Sequence, residues 1–288
     1  MNVGFDVAPL VQTRAGAARY ITNLLRHLTV EVRRFSFGGA GPTSTLVRET
    51  LWYPVLLPRA AARARVDVLH CPTYRAPLRS SVPLVVTVHD VAAYRHPETF
   101  NRWTRTVVPL LVPRVLAAAR VVIAVSEFTR RELVELLRVP ESKIRVVPNA
   151  VDAPFEPDGA AADGDYVLAV GTLEPRKNLA RAAEAARRAG LELRVVAYPS
   201  LYEGFGIPIL EAMACGAPVV TSAGGATEEV AGGAAVLVEP TDVDAIATGI
   251  REALSRGGEL RARGLERARS FDWGDVARRT ADVYREVV

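Results

Sequence analysis

Two carboxylates eight positions apart, Glu203 and Glu211, flank a short glycine loop, Gly204–Gly206. Pro208 then opens a run of good helix formers, and Gly216 suits the end of that helix. Glycines let backbone N–H groups approach a ligand closely, and a helix N-terminus behind them favours an anion such as phosphate. The stretch therefore predicts a loop that holds a phosphate on its amides and sugar hydroxyls on its carboxylates.

A second candidate anion site is the pair Arg176 and Lys177, between a predicted strand at 166–171 and a helix reaching about residue 189. Cations are unfavourable at the start of a helix. A bound diphosphate would offset that cost, and an arginine can bind it through two parallel hydrogen bonds. The alternative is an ordinary exposed basic helix start. The diphosphate interpretation is favoured.

Polar residues follow several short, β-branched runs that are typical of buried parallel strands. His89 follows 84–88, Ser126 follows 121–125, and Asn149 lies just after 144–147. In open α/β sheets the ligand crevice lies outside the carboxyl ends of the strands, so these residues are expected in one crevice. Ser126 is also a good N-cap for the next helix, and Asn149 suits a turn. His89 is the candidate for ligand contact.

Gly16 lies in a loop between a predicted first strand, residues 2–8, and a helix with one apolar face. Strand, glycine loop and helix form a layout that faces phosphates. The fingerprint GxGxxG is absent, which argues against a nicotinamide enzyme. From its position alone Gly16 is a turn glycine or a ligand-approach residue.

The block at 200–216, Ser-Leu-Tyr-Glu-Gly-Phe-Gly-Ile-Pro-Ile-Leu-Glu-Ala-Met-Ala-Cys-Gly, resembles the signature of retaining glycosyltransferases of the GT-B fold, family 4 (glycosyl transferases group 1). Residues 171–178, Gly-Thr-Leu-Glu-Pro-Arg-Lys-Asn, resemble the second motif of that family, with Thr172 where other members carry arginine. The resemblance spans nearly the whole chain. It implies an α/β protein with two Rossmann-like domains that face across a cleft.

The resemblance assigns the donor contacts. Arg176 and Lys177 would neutralise the leaving diphosphate, so that no metal or other cofactor is required. Glu211 would accept from the ribose hydroxyls. The backbone N–H groups that would serve the phosphate and sugar belong to Gly204, Phe205, Gly206 and Ile207.

The resemblance also assigns the groups nearest the chemistry. Glu203 would orient the sugar hydroxyls, His89 would touch the transferred sugar, and Gly16 would approach the donor phosphate or the acceptor. The implied reaction is retaining transfer of a hexose from a nucleoside diphosphate sugar to a hydroxyl of a glycan or lipid-linked acceptor. The Arg-His-Pro-Glu segment at 95–98 occurs in relatives that use GDP-mannose, which favours mannose. Two alternatives stay open: a non-catalytic nucleotide-sugar-binding relative and a sugar-nucleotide epimerase.

Composition bounds the partners and the compartment. The 288 residues are 49% hydrophobic and carry a net charge of +4, which permits phosphate ligands or an anionic membrane surface and compels neither. No feature indicates nucleic acid. Cys71 and Cys215 are isolated and no signal peptide is visible, so a cytoplasmic protein is expected, with possible contact to the inner face of the membrane. Residues 100–120 contain Trp103 and four arginines and could face a membrane, but Pro109 and Pro113 are expected to break the helical period and favour packing within the domain.

The expected domain organisation has four parts. They are an acceptor-side domain (1–152), a linker (153–164), a nucleotide-sugar-binding domain (165–270) and a closing helix (271–288) that packs back on the first domain. The linker contains Asp163-Gly164-Asp165, which is interpreted as a solvated turn and not as a metal clamp.

One segment is predicted to be missing. The predicted strands Leu191–Val196 and Tyr198–Ser200 abut, whereas parallel strands need a crossover of about a dozen residues or more. A single fused strand would put Pro199 inside a buried ladder. We therefore expect that a strand–helix segment is absent near 196–197. Either the printed chain skips it, so that Val196 and Ala197 are not bonded, or it has been deleted. The first version is favoured.

Overall fold

The computed structural model describes residues 1–11, 16–151, 155, 168–169, 175–189 and 196–288. The chain divides into two compact units. The first unit comprises Met1–Pro148 and Trp273–Val288, and the second comprises Asn149–Asp272. The predicted linker, 153–164, lies outside the described residues except for Phe155. The Asp163-Gly164-Asp165 stretch, Thr172 and most of the predicted strand 166–171 also lie outside them.

The first unit contains a parallel sheet in the order β2-β1-β3-β4-β5-β6. Its strands are β1 (Asn2–Asp6), β2 (Glu31–Phe35), β3 (Val68–Cys71), β4 (Leu84–Val88), β5 (Val121–Ala124) and β6 (Ile144–Val146). Four of them, β1, β3, β4 and β5, are buried almost throughout because helices cover both faces of such a sheet. The sequence did not predict β2, since this edge strand is short and largely exposed.

Helices connect these strands. They are α1 (Gly16–His27), α2 (Pro42–Val47), α3 (Leu57–Arg63), α4 (Ala92–Arg95), α5 (Arg102–Ala118) and α6 (Glu127–Leu137). A π-helical segment, Arg48–Leu56, joins α2 to α3. Short 3₁₀ turns lie at Ala8–Val11, Pro97–Thr99 and Glu141–Lys143. The strand order changes direction at β1 and β3, so the ligand crevice of such a sheet is expected at their carboxyl ends.

In the second unit the described strands form a parallel sheet in the order β7-β8-β9. The elements are α7 (Leu179–Arg188), β7 (Val196–Tyr198), α8 (Ile207–Ala214), β8 (Val219–Ser222), α9 (Gly225–Ala231), β9 (Val236–Val238), α10 (Val243–Ser255) and α11 (Gly257–Arg269). A 3₁₀ turn, Pro175–Lys177, precedes α7. The core between α7, α10 and the sheet is built largely from alanine and valine, which allows the helices to pack closely.

The last helix, α12 (Trp273–Val287), belongs to the first unit and packs against α1. Its Tyr284 hydroxyl is hydrogen-bonded to His70 Nδ1 at 2.6 Å, and His70 Nε2 is hydrogen-bonded to Thr87 at 2.8 Å. The Thr87 hydroxyl lies 3.2 Å from the Tyr20 hydroxyl. All four side chains are buried, so this chain of hydrogen bonds ties α12 to α1 through the sheet. His70 itself lies within β3.

The segment that is predicted to be missing near 196–197 would fall within β7. Val196 and Ala197 are consecutive residues of β7 and pair with the consecutive residues Val219 and Val220 of β8. The strand ends at Tyr198, so Pro199 lies just outside the ladder and costs no hydrogen bond there. Both versions of the missing segment, skipped or deleted, stay predictions.

The prediction that Pro109 and Pro113 break the helix at 100–120 is also wrong, because both lie inside the continuous helix α5. The helix is capped by Asn101, whose side chain accepts a hydrogen bond from the Thr104 N–H at 2.9 Å. Each proline removes one backbone donor, but Pro109 is exposed and Pro113 is half-buried, so water can reach the carbonyl groups that lose a partner. Within the described part of the chain, no helix combines the length and the hydropathy that a bilayer span requires.

Asp6 at the end of β1 and His70 in β3 are expected to give opposite pH dependences of stability. Burial raises the pKa of Asp6 to about 7. Hydrogen bonds from Ala8, Trp52 and Tyr53 and the charge of Arg48 act in the opposite direction and are weaker. The folded state then keeps a proton that the unfolded state loses above its ordinary value of 3.8, so stability falls as pH rises from about 4 to 7. Burial lowers the pKa of His70 to about 3, with a smaller contribution from His89. Stability from His70 is complete above pH 6.5 and is lost as pH falls below it.

Asp6→Asn should therefore make the stability of the first unit rise more steeply between pH 4 and 6.5 than in the parent. The three tryptophans, at positions 52, 103 and 273, all lie in the first unit, so their fluorescence reports its unfolding alone. Urea denaturation at several pH values measures the effect. Parallel stability curves for parent and variant would show that Asp6 is ionised throughout.

Candidate functional site

The structure brings Glu203 together with both predicted cations. Lys177 Nζ donates to Glu203 Oε1 at 2.6 Å, and Arg176 donates to Glu203 Oε2 at 3.4 Å. The exposed fractions of these side chains are 16% for Arg176, 12% for Lys177 and 9% for Glu203. The backbone fixes this arrangement, because the Leu201 N–H donates to the Arg176 carbonyl at 2.8 Å. The cluster is therefore a partly buried site with one more positive than negative charge.

Tyr198 is a member of this cluster that the sequence analysis missed. Its hydroxyl donates to Glu203 Oε1 at 2.8 Å and accepts from Lys177 Nζ at 2.9 Å. Burial and the neighbouring Glu203 carboxylate raise the pKa of Tyr198 well above its ordinary value, so it stays a donor. Tyr198 is the last residue of β7. The same rule that selected polar residues at the strand ends of the first unit would therefore have selected Tyr198.

Asn178, also missed, holds the two loops of the cluster together. It adopts a left-handed backbone conformation, φ 58°, which asparagine tolerates better than most residues. Its buried amide donates to the Pro199 carbonyl at 2.9 Å and to the carbonyl of Pro240. Because the first loop carries Lys177 and the second leads to Glu203, Asn178 fixes the distance between their backbones.

The glycine loop places its backbone, and not its side chains, at the start of α8. Gly206 has φ +103° and precedes the first helical residue, Ile207. Phe205 is buried against Phe271, with ring centroids 5.8 Å apart at 78°, so only its N–H can take the predicted ligand role. Gly204 is buried and Ile207 is half-buried. The helix begins at Ile207, one residue before the predicted Pro208.

Gly206→Ala is expected to destabilise the second unit. A left-handed conformation costs a residue with a Cβ about 1–2 kcal/mol. The added Cβ would also lie 3.1 Å from Ile209 Cδ1, which is tighter than ordinary contact. Gly258→Ala is the control, because a Cβ at Gly258 meets no described atom within 4 Å and its φ is not positive. Limited proteolysis of the second unit should show faster cleavage for Gly206→Ala alone, and equal rates would contradict the assignment.

Glu211 lies on α8 with 8% of its surface exposed. The helix ends as predicted: Gly216 has φ +72°, and its N–H donates to the Met213 carbonyl at 2.9 Å. A Cβ at Gly216 would lie 2.5 Å from the Arg261 guanidinium, the end of a flexible side chain that would have to shift. These features fix where α8 starts and stops, and hence where Glu211 lies on it.

His89 follows β4 and has a defined tautomer. Its Nε2 lies 2.9 Å from the Pro72 carbonyl, which can only accept, so Nε2 carries the hydrogen. Burial lowers the pKa of His89, and the smaller effects of the Pro72 hydrogen bond and the Asp90 charge, which raise it, do not reverse this. The ring is therefore neutral, and Nδ1 is a hydrogen-bond acceptor. Tyr20 holds the ring edge-to-face at 4.9 Å and 81°. His89 is thus oriented to accept a hydrogen bond through Nδ1.

The remaining predicted positions differ in what they can do. Gly16 is the first residue of α1, and a Cβ there would meet open space among the described residues, while the loop 12–15 before it is not described. Ser126 is fully buried and accepts from the Thr129 N–H at 2.9 Å, so the N-cap interpretation is confirmed. Asn149 is buried at the start of the second unit. Within the described ranges no group of three or more His, Cys, Asp or Glu side chains is placed to hold a metal ion.

Comparisons with known proteins identify the class. The family model Glycosyltransferase Family 4 matches residues 14–154, and the model Glycosyl transferases group 1 matches residues 191–271. A sucrose-phosphate synthase from Thermosynechococcus elongatus superposes with a TM-score of 0.78 at 17% identity, covering 99% of this chain and 98% of that one. The Anabaena protein HepE, crystallised with UDP and glucose, has a TM-score of 0.73 at 18% identity, covering 99% and 100%. At these identities the superpositions show the fold alone.

The parallel α/β architecture and the two matched domains define a glycosyltransferase of the GT-B type. Both matched models are glycosyltransferase models, which agrees with the resemblance of the motifs at 171–178 and 200–216. Among its relatives, the O-antigen chain mannosyltransferase B of Escherichia coli is 28% identical over 301 residues, which cover 81% of this chain and 79% of the relative. The matched stretch is longer than the whole 288-residue chain, so the relative carries residues there with no counterpart here.

Proposed function

We propose that this chain is a retaining mannosyltransferase. It transfers mannose from a nucleoside diphosphate donor, GDP-mannose, to a hydroxyl of a glycan or lipid-linked acceptor. The observation that carries the proposal is the cluster of Arg176, Lys177 and Glu203, which combines cations for a diphosphate with a carboxylate for sugar hydroxyls. The choice of mannose is supported by the mannosyltransferase relative and by the Arg-His-Pro-Glu segment at 95–98.

In this proposal Lys177 and Arg176 stabilise the negative charge that develops on the leaving diphosphate. Glu203 holds the sugar hydroxyls, and the N–H groups of the loop from Gly204 to Ile207 receive phosphate oxygens. Glu211 accepts from the ribose, and Gly16 leaves room for the donor or acceptor. His89 accepts a hydrogen bond from the transferred sugar at Nδ1. Two cations beside the diphosphate do the work that a metal does elsewhere, so the reaction should need no metal.

The test is to incubate the purified protein with GDP-mannose, UDP-glucose, UDP-galactose and ADP-glucose, each with a panel of mannoside acceptors. We expect release of the nucleoside diphosphate from GDP-mannose and not from the UDP or ADP sugars. The rate should not fall in EDTA, and the product should keep the anomeric configuration of the donor. An epimerised nucleotide sugar without transfer would indicate the epimerase alternative. Binding in calorimetry without nucleotide release from any pair would indicate a non-catalytic relative. Inversion at the anomeric carbon would contradict the retaining mechanism.

A further inference from the structure

The ring of His89 needs a fixed plane if its Nδ1 is to accept a hydrogen bond from the transferred sugar. Its Nε2–H donates to the Pro72 carbonyl at 2.9 Å. Nε2 lies close to the line of the Cβ–Cγ bond, so turning the ring about that bond moves Nε2 little and swings Nδ1 widely. This torsion of histidine has broad energy wells. The Pro72 contact therefore leaves the direction of Nδ1 weakly restrained.

The ring of Tyr20 supplies a second restraint. It meets the His89 ring edge-to-face, with centroids 4.9 Å apart at 81°. This contact hinders rotation of His89 only if the Tyr20 ring is itself held. Tyr20 is fully buried in α1, and Trp273 at the start of α12 lies beside it with ring centroids 6.1 Å apart. The Tyr20 ring can still tilt there unless its hydroxyl is also fixed.

A chain of buried hydrogen bonds fixes the Tyr20 hydroxyl. It lies 3.2 Å from Thr87 Oγ1, which is 2.8 Å from His70 Nε2. His70 Nδ1 in turn is 2.6 Å from the Tyr284 hydroxyl on α12. All four side chains are fully buried, so water does not compete for these contacts. Thr87 is the junction, since its hydroxyl is shared between Tyr20 and His70.

The chain acts on His89 through ring contact. Among the described residues no printed hydrogen bond joins it to His89, and the contact is that of the Tyr20 ring. Burial lowers the pKa of His70 to about 3 and raises the pKa of both Tyr20 and Tyr284, so the chain stays neutral near pH 7. Its effect on His89 is therefore orientation and not proton transfer.

We propose that this chain of side chains, from Tyr284 to Tyr20, positions the ring of His89 for transfer. The chain fixes the Tyr20 ring, and the Tyr20 ring fixes the plane in which Nδ1 points to the sugar. The inference rests on the proposed role of His89. It gives α12 a part in turnover, although no residue of α12 is assigned a contact with donor or acceptor.

The main test is Thr87→Val, which nearly keeps the shape of the side chain and removes its hydroxyl. It should lower turnover roughly tenfold, because a misplacement of about 1 Å can cost about 10²-fold and a loosened ring is a smaller change. GDP affinity should not change, since the chain contacts no group assigned to the diphosphate. Thr87→Ser keeps the hydroxyl and should retain most of the turnover. Unchanged turnover in folded Thr87→Val would overturn the proposal.

Thr280→Val on α12 is the matched control. Thr280 is also fully buried, and its hydroxyl donates to the Val276 carbonyl of its own helix at 2.7 Å. This variant should leave turnover unchanged. Tryptophan fluorescence confirms that each variant is folded. Equal losses of turnover in Thr87→Val and Thr280→Val would indicate a general loss of packing and would also overturn the proposal.

A double variant distinguishes positioning from a structural role. In the His89→Ala background Thr87→Val should cause no further loss of turnover, because no ring is left to orient. If Thr87 acted only on the stability of the first unit, the two losses would multiply. Multiplied losses would therefore contradict the proposal.

Ring mobility tests the inference even without turnover. Carbon relaxation of isotopically labelled histidine reports the motion of the His89 ring at Cδ2–H, which swings when Nδ1 does. The His89 signal is the one that disappears in His89→Ala. Thr87→Val should increase this motion, and Thr280→Val should not. Increased motion in a protein whose parent releases no nucleotide would contradict the proposed function alone, whereas unchanged motion would overturn the positioning.

Discussion

Lys177→Ala is expected to weaken GDP binding by roughly 10- to 100-fold, because a charged hydrogen bond is worth about 1.5–3 kcal/mol. Guanosine, which has no phosphate, should bind the parent and the variant equally. The variant also leaves the Glu203 carboxylate, 9% exposed, with one cation fewer, so its negative charge repels the diphosphate more strongly. Calorimetry with GDP and guanosine measures both effects.

Two further variants sharpen this prediction. The chain has only one other lysine, Lys143, so Lys143→Ala is a matched control and should bind GDP like the parent. The double variant Lys177→Ala with Glu203→Gln should recover part of the lost affinity, because the uncompensated carboxylate is gone. Equal GDP affinity in the parent and Lys177→Ala would show that Lys177 serves only its ion pair with Glu203.

His89→Ala is expected to lower turnover roughly 10²–10³-fold, because losses of this size follow the removal of one preorganised group that stabilises the transition state. GDP affinity should stay almost unchanged, because His89 is assigned to the transferred sugar and not to the diphosphate. The ring is held by the Pro72 carbonyl and by Tyr20, so Nδ1 has a fixed direction. Steady-state kinetics with the donor whose sugar is transferred measures turnover. Calorimetry with GDP measures nucleotide affinity separately.

His27→Ala is the control, since His27 is exposed at the end of α1 and its Nδ1 is hydrogen-bonded to the Asn23 carbonyl of the same helix. It should leave turnover unchanged. A large loss of GDP affinity in His89→Ala, or a lowered stability of the first unit by tryptophan fluorescence, would show that His89 is structural. Burial lowers the pKa of His89 below its ordinary value of 6.5, so the ring should stay neutral at that pH. Protonation of His89 should therefore not reduce the parent's turnover as pH falls to 6.5.

Local signals in the sequence determined much of the fold. The short β-branched runs mark β4, β5 and β6, since buried parallel strands are recognised from their own composition. The caps were also local. Ser126 accepts from the Thr129 N–H at the start of α6, as its position before that helix indicated. The first strand was predicted from alternation, yet β1 is covered on both faces.

Local rules failed where solvent or neighbours compensate. Pro109 and Pro113 were expected to end a helix, but the helix continues because water can reach the carbonyl groups that lose a donor. A fused strand was rejected because it would put Pro199 inside a ladder, but β7 ends one residue before Pro199. In both cases proline was correctly predicted to remove a backbone hydrogen-bond donor. Only the tertiary structure showed that the loss costs little at these positions.

The sequence by itself determined which groups are proposed for the chemistry, since Glu203, Arg176, Lys177 and His89 lie in motifs or at strand ends that resemble those of a glycosyltransferase family. It could not determine how those groups meet. Lys177 and Glu203 are 26 residues apart, and His70 and Tyr284 are 214 apart. Such contacts depend on parallel strands and on α12 packing in the first unit. Spacing along a chain fixes side-chain distance only within one helix or strand, so the Tyr198 bridge and the neutral, oriented His89 were decided by the tertiary structure alone.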